Sequence, residues 1–251
     1  MSGRKRYKLI ACEILFREVC FCVSQSKNII DMDFMEKGLH DIGEKNMSEK
    51  LQAQIDKTDT TKYDAILLGY GLCNNGIRGL KAKLPVIVPR AHDCITLLMG
   101  SKEKYREYFD NNPGTYFKST GWMERDTNPN DTANSMTSQL GMNKSYHEFV
   151  ELYGAENAKY IMETMGNWLE NYKKFTYIDT HTGNFDDYKK LVKSDAEKRG
   201  WEFDEVSGDT NILLRLVNGE WDESDFLIIP PNCKITSTTN DDIVSYEKPS
   251  P

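Results

Sequence analysis

Residues 63–101 read YDAILLGYGLCNNGIRGLKAKLPVIVPRAHDCITLLMGS, and this stretch decides the fold class. It contains two apolar runs, DAILLGY and PVIVPRA, and each run stops at Gly, Asn or Pro. Such runs are typical of buried strands in a parallel sheet. The loop that leaves each strand forms the rim of the sheet, where ligands usually bind. Cys73 stands in the first of these loops and Cys94 in the second, so we expect the chemistry of the chain at this rim.

The segments on either side repeat the alternation of strand and helix. KLIACE and NIIDMDF are predicted strands around a helix ILFREVCFCV, and SEKLQAQID is a second helix that Ser48 would cap. Another helix should begin at Ser101. Farther on, FTYIDT, WEFDEV and DFLIIPP are predicted strands, separated by helices that end at Gly200 and Gly219. Because each crossover is a helix, the strands should pair in parallel, which predicts an α/β fold of two Rossmann-like βαβ units with a parallel sheet and helices on both faces.

This pattern divides the chain into two halves. Residues 1–123 form the predicted N-terminal Rossmann-like half, which carries the Cys/His site. Residues 124–144 are polar and rich in turn residues, so they are predicted to be a connecting loop. Residues 145–238 form the predicted C-terminal Rossmann-like half, which opens with a helical pattern. Residues 239–251 are polar and are predicted to be a frayed tail.

The composition disfavours several classes of protein. The chain has 251 residues and a net charge of −7, with no basic block that could neutralise the phosphates of a nucleic acid. No apolar stretch approaches the roughly twenty residues that a membrane span requires. The N-terminal MSGRKRYKLIACEI lacks the cleavage site of a secretory signal, and six cysteines without such a signal are more typical of reduced thiols or metal ligands than of disulfides. We therefore expect a cytoplasmic protein that binds neither nucleic acid nor membrane.

The pair His92 and Cys94 is the first candidate for metal binding. Two residues at this spacing can point at one ion where the backbone bends, and the pair falls at a predicted strand-to-helix turn. Zinc enzymes that transfer methyl groups to thiols use a His-x-Cys pair with a distant cysteine, which leaves a coordination position for the substrate. Cys73 or Cys12 would supply that third ligand. The alternative is that Cys94 is a small buried hydrophobe and His92 a hydrogen-bonded loop residue.

The loop around Cys73 is a candidate for cofactor binding. Its Gly69 and Gly71 allow the backbone to approach a ligand closely, and we expect them, with Asn74, to line a cofactor. The loop lacks the G-x-G-x-x-G fingerprint and a Walker lysine, so its letters do not predict nucleotide binding. Cys12 ends a third predicted strand and is a further candidate metal ligand. Glu13 beside it is a candidate metal ligand, hydrogen-bond partner of a ligand or catalytic proton acceptor.

The other cysteines and histidines have weaker claims. Cys20 and Cys22 fall among apolar residues of the first predicted helix and are interpreted as core residues. Cys233 follows the last predicted strand and could join the site, but it is interpreted as a surface-loop thiol. His181 follows FTYIDT, with Asp179 nearby, and is a lesser candidate at a strand end of the second half.

Several strings resemble an uncharacterised prokaryotic family, DUF1638, over nearly the whole chain. They are LGYGLC, PRAHDCITLLMGS, PGTYF, GWEF and WDESDFLIIPP. Members of that family look like companions of corrinoid-dependent methyltransferase systems in anaerobes, so the resemblance implies a link to methyl transfer. Cys12, Cys73, His92 and Cys94 fall inside its motifs. Asn74 departs from the glycine expected after the family's cysteine.

The residues and the resemblance leave several functions open. The first is a metal-binding protein of anaerobic one-carbon metabolism that activates a thiol or methyl group on zinc, and that is itself a methyltransferase or the partner of one. The second is an iron-sulfur protein in which three cysteines hold a [4Fe–4S] cluster. The third is a non-enzymatic module that binds a corrinoid or a metal for delivery. Each would meet a small-molecule substrate or a corrinoid protein, and a homodimer is possible. A thiol-rich domain with an organic ligand and no metal is the remaining alternative.

Overall fold

The computed structural model describes residues 3–37, 39, 44–125, 150, 154–155 and 172–248. Most of the predicted connecting loop and of the helical pattern that follows it lies outside these described residues.

The largest β-sheet has five strands in the order β2-β1-β3-β4-β8. Its strands are β1 Arg6–Cys12, β2 Ile29–Met35, β3 Ala65–Gly69, β4 Val86–Pro89 and β8 Phe226–Ile229. The first four strands pair in parallel, as predicted. β8 pairs antiparallel with β4, with Pro89 opposite Phe226. The expectation that DFLIIPP continues a second parallel unit is therefore wrong, because this strand completes the first sheet from the opposite direction.

A smaller sheet has three parallel strands in the order β5-β6-β7. Its strands are β5 Thr115–Ser119, β6 Lys174–Asp179 and β7 Glu202–Ser207. Helices lie between β1 and β2, between β2 and β3, and between β6 and β7, whereas the described segment between β3 and β4 contains no helix. The expectation that each crossover is a helix is therefore wrong for β3 and β4, but the predicted α/β class with parallel pairing is confirmed. The limits of the two predicted halves stay a prediction.

Seven α-helices lie wholly within the described residues. They are α1 Phe16–Gln25, α2 Glu44–Asp56, α3 Cys94–Met99, α4 Lys102–Asn111, α5 Thr120–Arg125, α6 Asp186–Arg199 and α7 Asn211–Asn218, and a short 3-10 turn Glu13–Leu15 precedes α1.

The structure confirms three of the predicted helix boundaries and contradicts one. Ser101 caps α4, and its hydroxyl accepts from the backbone N–H of Lys104 at 2.9 Å. Gly200 and Gly219 end α6 and α7 in the left-handed conformation, as predicted. Ser48 is not a cap, because α2 begins four residues earlier at Glu44.

Helices cover both faces of the large sheet, as predicted. Successive residues of a strand point to opposite faces, and Ile66 and Leu68 of β3 pack with α2 while Leu67 packs with α1 and α7. The strand β3 is buried along its whole length. The interpretation of Cys22 as a core residue is confirmed, since its side chain is fully buried. Cys233 is also buried, so the interpretation as a surface-loop thiol is wrong.

The C-terminal segment is ordered into a two-stranded antiparallel sheet of β9 Lys234–Ser237 and β10 Val244–Glu247. Part of the stretch predicted to fray is therefore a strand, and Val244 is fully buried. The Arg90 guanidinium after β4 holds this segment, because it donates to the carbonyls of Asp242 and Val244 at 2.8 Å each.

Across the described residues, no helix combines the length and apolar character needed to cross a membrane.

Candidate thiol site

Three cysteines lie at the carboxyl end of the large sheet. Cys12 is the last residue of β1, Cys73 lies four residues after the end of β3, and Cys94 is the first residue of α3, shortly after β4. The strands β1, β3 and β4 are neighbours in the sheet, so their outgoing segments leave from one edge. Cys12 is buried, whereas Cys73 and Cys94 are half-buried. The predicted convergence of these three residues on one rim is therefore what the topology produces.

The loops after β3 and β4 lie directly against each other. The backbone N–H of Leu72 donates to the carbonyl of Ala91, and that of Cys73 donates to the carbonyl of His92, both at 2.8 Å. These two hydrogen bonds continue the pairing of the strands into the loops. They fix Cys73 relative to the segment that leads to Cys94.

Glycine is required where the two loops touch. A Cβ atom on Gly71 would lie 2.6 Å from the backbone nitrogen of Asp93 and 2.9 Å from the carbonyl oxygen of Ala91. A Cβ on Gly69 would lie 2.6 Å from the Cβ of Ala11 on β1. The space beside both glycines is thus filled by the chain itself. Their predicted contact with a cofactor stays a prediction.

The turn that carries Cys73 has an unusual backbone. Cys73, Asn74 and Asn75 all have positive φ angles, of 47°, 55° and 64°. Asparagine tolerates this region better than most residues, but a cysteine seldom adopts it. The turn is closed by a hydrogen bond from the Gly76 N–H to the Cys73 carbonyl at 3.0 Å. Local strain of this kind is concentrated at functional sites.

Asp93 fixes the position of Cys94. Its Oδ1 atom accepts from the backbone N–H of Thr96 at 3.1 Å and caps α3. Its Oδ2 atom accepts from the hydroxyl of Tyr105 at 3.3 Å. Burial raises the pKa of the Asp93 carboxyl, and the hydrogen bond from Thr96 opposes that shift. Asp93 is therefore a structural cap beside the cysteine, a role that the sequence motif did not indicate.

The three thiols lie close enough to influence one another's ionisation. Burial raises the pKa of Cys12 to about 12. Burial also raises the pKa of Cys73, and the charge of a Cys12 thiolate raises it further, while the backbone N–H groups of Gly71 and Cys94 oppose the shift. The pKa of Cys94 is raised by burial first and then by a Cys73 thiolate. In the free protein the thiols are therefore neutral, and a bound cation would be needed to deprotonate them.

Tyr70 belongs to this site and was missed in the sequence. Its side chain is 2% exposed, and it packs in the same apolar cluster as Cys12, with Cys73 against it. Its hydroxyl has no hydrogen-bond partner among the described residues. Burial raises the pKa of Tyr70, and charges on Cys12, Cys73 and Cys94 raise it further. A tyrosine between two glycines directly after a buried strand was the available signal.

His92 lies on the outer side of its loop. The side chain is exposed. The hydrogen bond from Arg106 lowers the pKa of Asp241, with smaller contributions from the charges of Lys102 and His92. Its role as a metal ligand stays a prediction.

Glu13 is held by two contacts next to Cys12. Its Oε1 atom accepts from the backbone N–H of Lys37 at 2.7 Å, and its Oε2 atom lies 3.3 Å from Nε of Arg125. The Glu13 carboxylate, next to Cys12 in the chain, is therefore held by one backbone N–H and one guanidinium. Its role as a proton acceptor stays a prediction.

The remaining candidates lie elsewhere. The Cys22 thiol donates to the carbonyl of Thr210 at 3.7 Å, in the core beside α7. His181 lies at the end of β6 in the smaller sheet, where its Nε2 atom is 3.0 Å from the hydroxyl of Ser207. In the described part of the chain, no three His, Cys, Asp or Glu side chains are already arranged to hold a metal ion.

Comparison with known protein families gives one match. Residues 34–217 match the family described as "Protein of unknown function (DUF1638)", and the chain belongs to this family. The matched range includes Cys73, His92 and Cys94, whereas Cys12 and Glu13 precede it. No curated protein and no solved structure matches the chain.

Proposed function

We propose that this DUF1638 protein binds a metal through the thiolates of Cys12, Cys73 and Cys94. One observation carries the proposal: three cysteines stand at or after the carboxyl ends of three neighbouring strands, and the loop of Cys73 is hydrogen-bonded to the segment that leads to Cys94. Thiolates are the ligands that zinc and iron-sulfur clusters prefer. The strained turn at Cys73 supports the same proposal, because backbone strain is concentrated at functional sites and this turn places a thiol at the rim of the sheet.

The side chains of the three cysteines must move before they can bind a metal ion. The described side chains do not yet form an ion site, and the thiols are protonated in the free protein. Binding would therefore release protons and draw the three sulfur atoms together, as is usual when ligands must be deprotonated. The half-buried Cys73 and Cys94 can change rotamer more easily than the buried Cys12.

The proposed activity is the activation of a thiol for methyl transfer in anaerobic one-carbon metabolism. Three protein ligands leave a zinc ion one open position, and a substrate thiol bound there loses its proton more easily. In the transfer, the thiolate sulfur forms a bond to the methyl carbon. The bond between that carbon and its donor breaks, and the electron pair leaves with the donor. Glu13, next to Cys12, is the proposed acceptor of the thiol proton.

A three-cysteine [4Fe–4S] cluster is the second candidate. It is supported by the exposed side chain of His92, because a site without this imidazole would offer sulfur donors alone. Clusters of this type use cysteine thiolates, whereas zinc sites often include histidine.

We also propose a small-molecule substrate or a corrinoid protein as the partner and the cytoplasm as the compartment. All six cysteines are free, including Cys73 and Cys94, which are close together. Paired thiols would be expected in an oxidising compartment.

Elemental analysis with a visible spectrum, on protein purified without oxygen, tests the proposal. About one zinc per chain without colour would support thiol activation. About four irons per chain with a broad brown absorbance would support the cluster.

Single Cys→Ser variants identify the ligands. Substitution of Cys73 or Cys94 by Ser is expected to lower the metal content several-fold, because each removes a thiolate. Cys20→Ser is the matched control, since Cys20 is a half-buried thiol on α1 outside the site. Equal metal content in C94S and C20S would exclude the proposed site.

A further inference from the structure

A serine, a histidine and an aspartate contact one another at the carboxyl end of the smaller sheet. Asp179 is the last residue of β6 and Ser207 the last residue of β7, and the two are partners in the register of the parallel strands. His181 follows two residues after Asp179. Its Nε2 atom lies 3.0 Å from the hydroxyl of Ser207, and its Nδ1 atom lies 3.4 Å from Oδ1 of Asp179. The imidazole therefore joins the hydroxyl to the carboxylate through its two nitrogens.

The backbone at His181 is strained. Its φ angle is 55°, in the left-handed region that histidine adopts at a cost of about 1 kcal/mol. The turn is closed by the backbone N–H of His181, which donates to Oδ1 of Asp179 at 2.9 Å. Lys189 of α6 donates to Oδ2 of the same carboxylate at 3.2 Å. Strain of this kind is concentrated at functional sites, and here it accompanies a histidine in contact with a serine hydroxyl.

The two contacts of the imidazole assign a role to each nitrogen. A carboxylate only accepts hydrogen bonds, so Asp179 favours the tautomer that carries its proton on Nδ1. In that tautomer Nε2 has a free lone pair and accepts from the hydroxyl of Ser207. A serine bonded to a histidine whose other nitrogen faces a carboxylate is the arrangement that activates serine as a nucleophile on unrelated folds.

A cleft of about 380 Å³ lies beside this group, between α4 and β7, and Ser207 is one of its lining residues. Met99, Tyr108 and Val206 also line the cleft. A cleft of this size suits a small ligand, and its apolar side chains suit an acyl chain. The serine therefore borders a space that a substrate can enter.

Lys104 brings a positive charge to the same cleft. It lines the cleft from α4, and its ammonium donates to the backbone carbonyl of Ser207 at 2.5 Å. An ammonium has three N–H donors. A donor next to the nucleophile stabilises the negative charge that develops on a carbonyl oxygen under attack. Glu107 lines the cleft as well, so the two charges balance and a neutral substrate is favoured over an anion.

We propose that Ser207, His181 and Asp179 form a second site that hydrolyses small, neutral carboxylic esters with a short apolar acyl group. The oxygen of Ser207 forms a bond to the carbonyl carbon while Nε2 of His181 takes the hydroxyl proton. The bond between that carbon and the alcohol oxygen then breaks, and the alcohol leaves with the electron pair and the proton from His181. Water releases the acyl group by the same steps: His181 takes a proton from water, the water oxygen bonds to the carbon, and the Ser207 oxygen leaves and regains its proton. Asp179 is a positioning residue that holds the imidazole in the reactive tautomer.

Covalent labelling of the full chain tests the nucleophile. With an alkyl fluorophosphonate, the serine oxygen forms a bond to phosphorus and fluoride leaves. Peptide mass spectrometry should find the label on Ser207, and Ser207→Ala should abolish it. Ser24→Ala is the control, because it removes an exposed serine hydroxyl on α1, and it should leave the labelling unchanged. No label, or a label on another serine alone, would overturn the proposal.

Hydrolysis of para-nitrophenyl butyrate tests the other two residues. EDTA is present throughout, so that a metal ion at the cysteines takes no part. His181→Asn removes the imidazole and keeps a residue that tolerates positive φ, and it should lower kcat about 100-fold, the contribution of a general base. Asp179→Asn should lower kcat to a similar extent and leave KM unchanged, because Asp179 acts through His181 without touching the ester. Equal kcat in H181N and the unmodified chain, or a D179N variant changed in KM alone, would overturn the proposal.

Discussion

Substitution of Gly71 by Ala tests whether the contact between the two loops holds the thiol site together. The added methyl group would lie 2.6 Å from the Asp93 nitrogen, 2.8 Å from its Cα atom and 2.9 Å from the Ala91 oxygen. All three contacts are with backbone atoms, which cannot move aside by a change of rotamer. The loop that carries Cys73 must therefore shift away from the loop that leads to Cys94.

The expected cost follows from the contacts that this shift disturbs. Overpacking a well-filled site costs about 1–3 kcal/mol. The two hydrogen bonds that join the loops, from Leu72 and Cys73, contribute about 1 kcal/mol each when they are intact. We expect a loss of about 3 kcal/mol in the free energy of unfolding. For a chain of this size that corresponds to a fall of roughly 6–12 °C in the melting temperature.

Thermal unfolding of the metal-free protein measures this change, with Gly200→Ala as the matched control. Gly200 has a positive φ of 69° at the end of α6, but nothing lies within contact distance of its added Cβ. Its variant bears the strain of an alanine in the left-handed conformation alone, about 1 kcal/mol. A G71A protein as stable as the unmodified chain, or one destabilised no more than G200A, would refute the argument from loop contact. A large loss of stability should also speed the reaction of Cys73 with a thiol reagent.

Two further predictions concern stability. Asp31 on β2 is bonded to Lys62, Tyr63 and Arg6, and the bond to Lys62 is the main cause that lowers its pKa from 3.8 to about 2. Because the pKa is lower in the folded state, this contribution is present above about pH 4 and is lost as the pH falls towards 2. Asp31→Asn should remove this contribution, which amounts to about 1 kcal/mol after solvent screening. The free energies of unfolding measured with urea at pH 7 and at pH 2.5 should then differ less in the variant than in the unmodified protein. An unchanged difference would contradict the role given to Asp31. Ser101→Ala should lower the free energy of unfolding by about 1 kcal/mol, because it removes the cap of α4. Ser48→Ala should lower it much less, because Ser48 lies inside α2. Equal urea midpoints for the two variants would contradict this distinction.

Local patterns predicted much of the fold. The strands at DAILLGY, PVIVPRA and FTYIDT were identified from apolar runs, and the ends of α6 and α7 from glycine. These features depend on residues next to one another in the chain, so the letters suffice. The same reasoning predicted that the cysteines after β3 and β4 leave from one rim, because parallel strands share their carboxyl edge.

Other features depended on partners distant in sequence. The pairing of β8 with β4 in the antiparallel direction, and the burial of Cys233 and Val244, arise from a C-terminal segment that folds back on the first sheet. A strand's own residues do not specify the direction of its neighbour. In the same way, the letters H-x-C do not show that the side chain of His92 is exposed while that of Cys94 is half-buried.

The sequence by itself determined the α/β class, the strands that end at cysteines and the rim where these cysteines gather, because each follows from apolar periodicity and the geometry of parallel strands. Only the tertiary structure decided how the neighbouring side chains are placed. It left the side chain of His92 exposed, made Asp93 a helix cap, and buried Tyr70 in the same apolar cluster as Cys12. Side-chain direction and burial depend on the packing of distant segments, and no local pattern of residues carries that information.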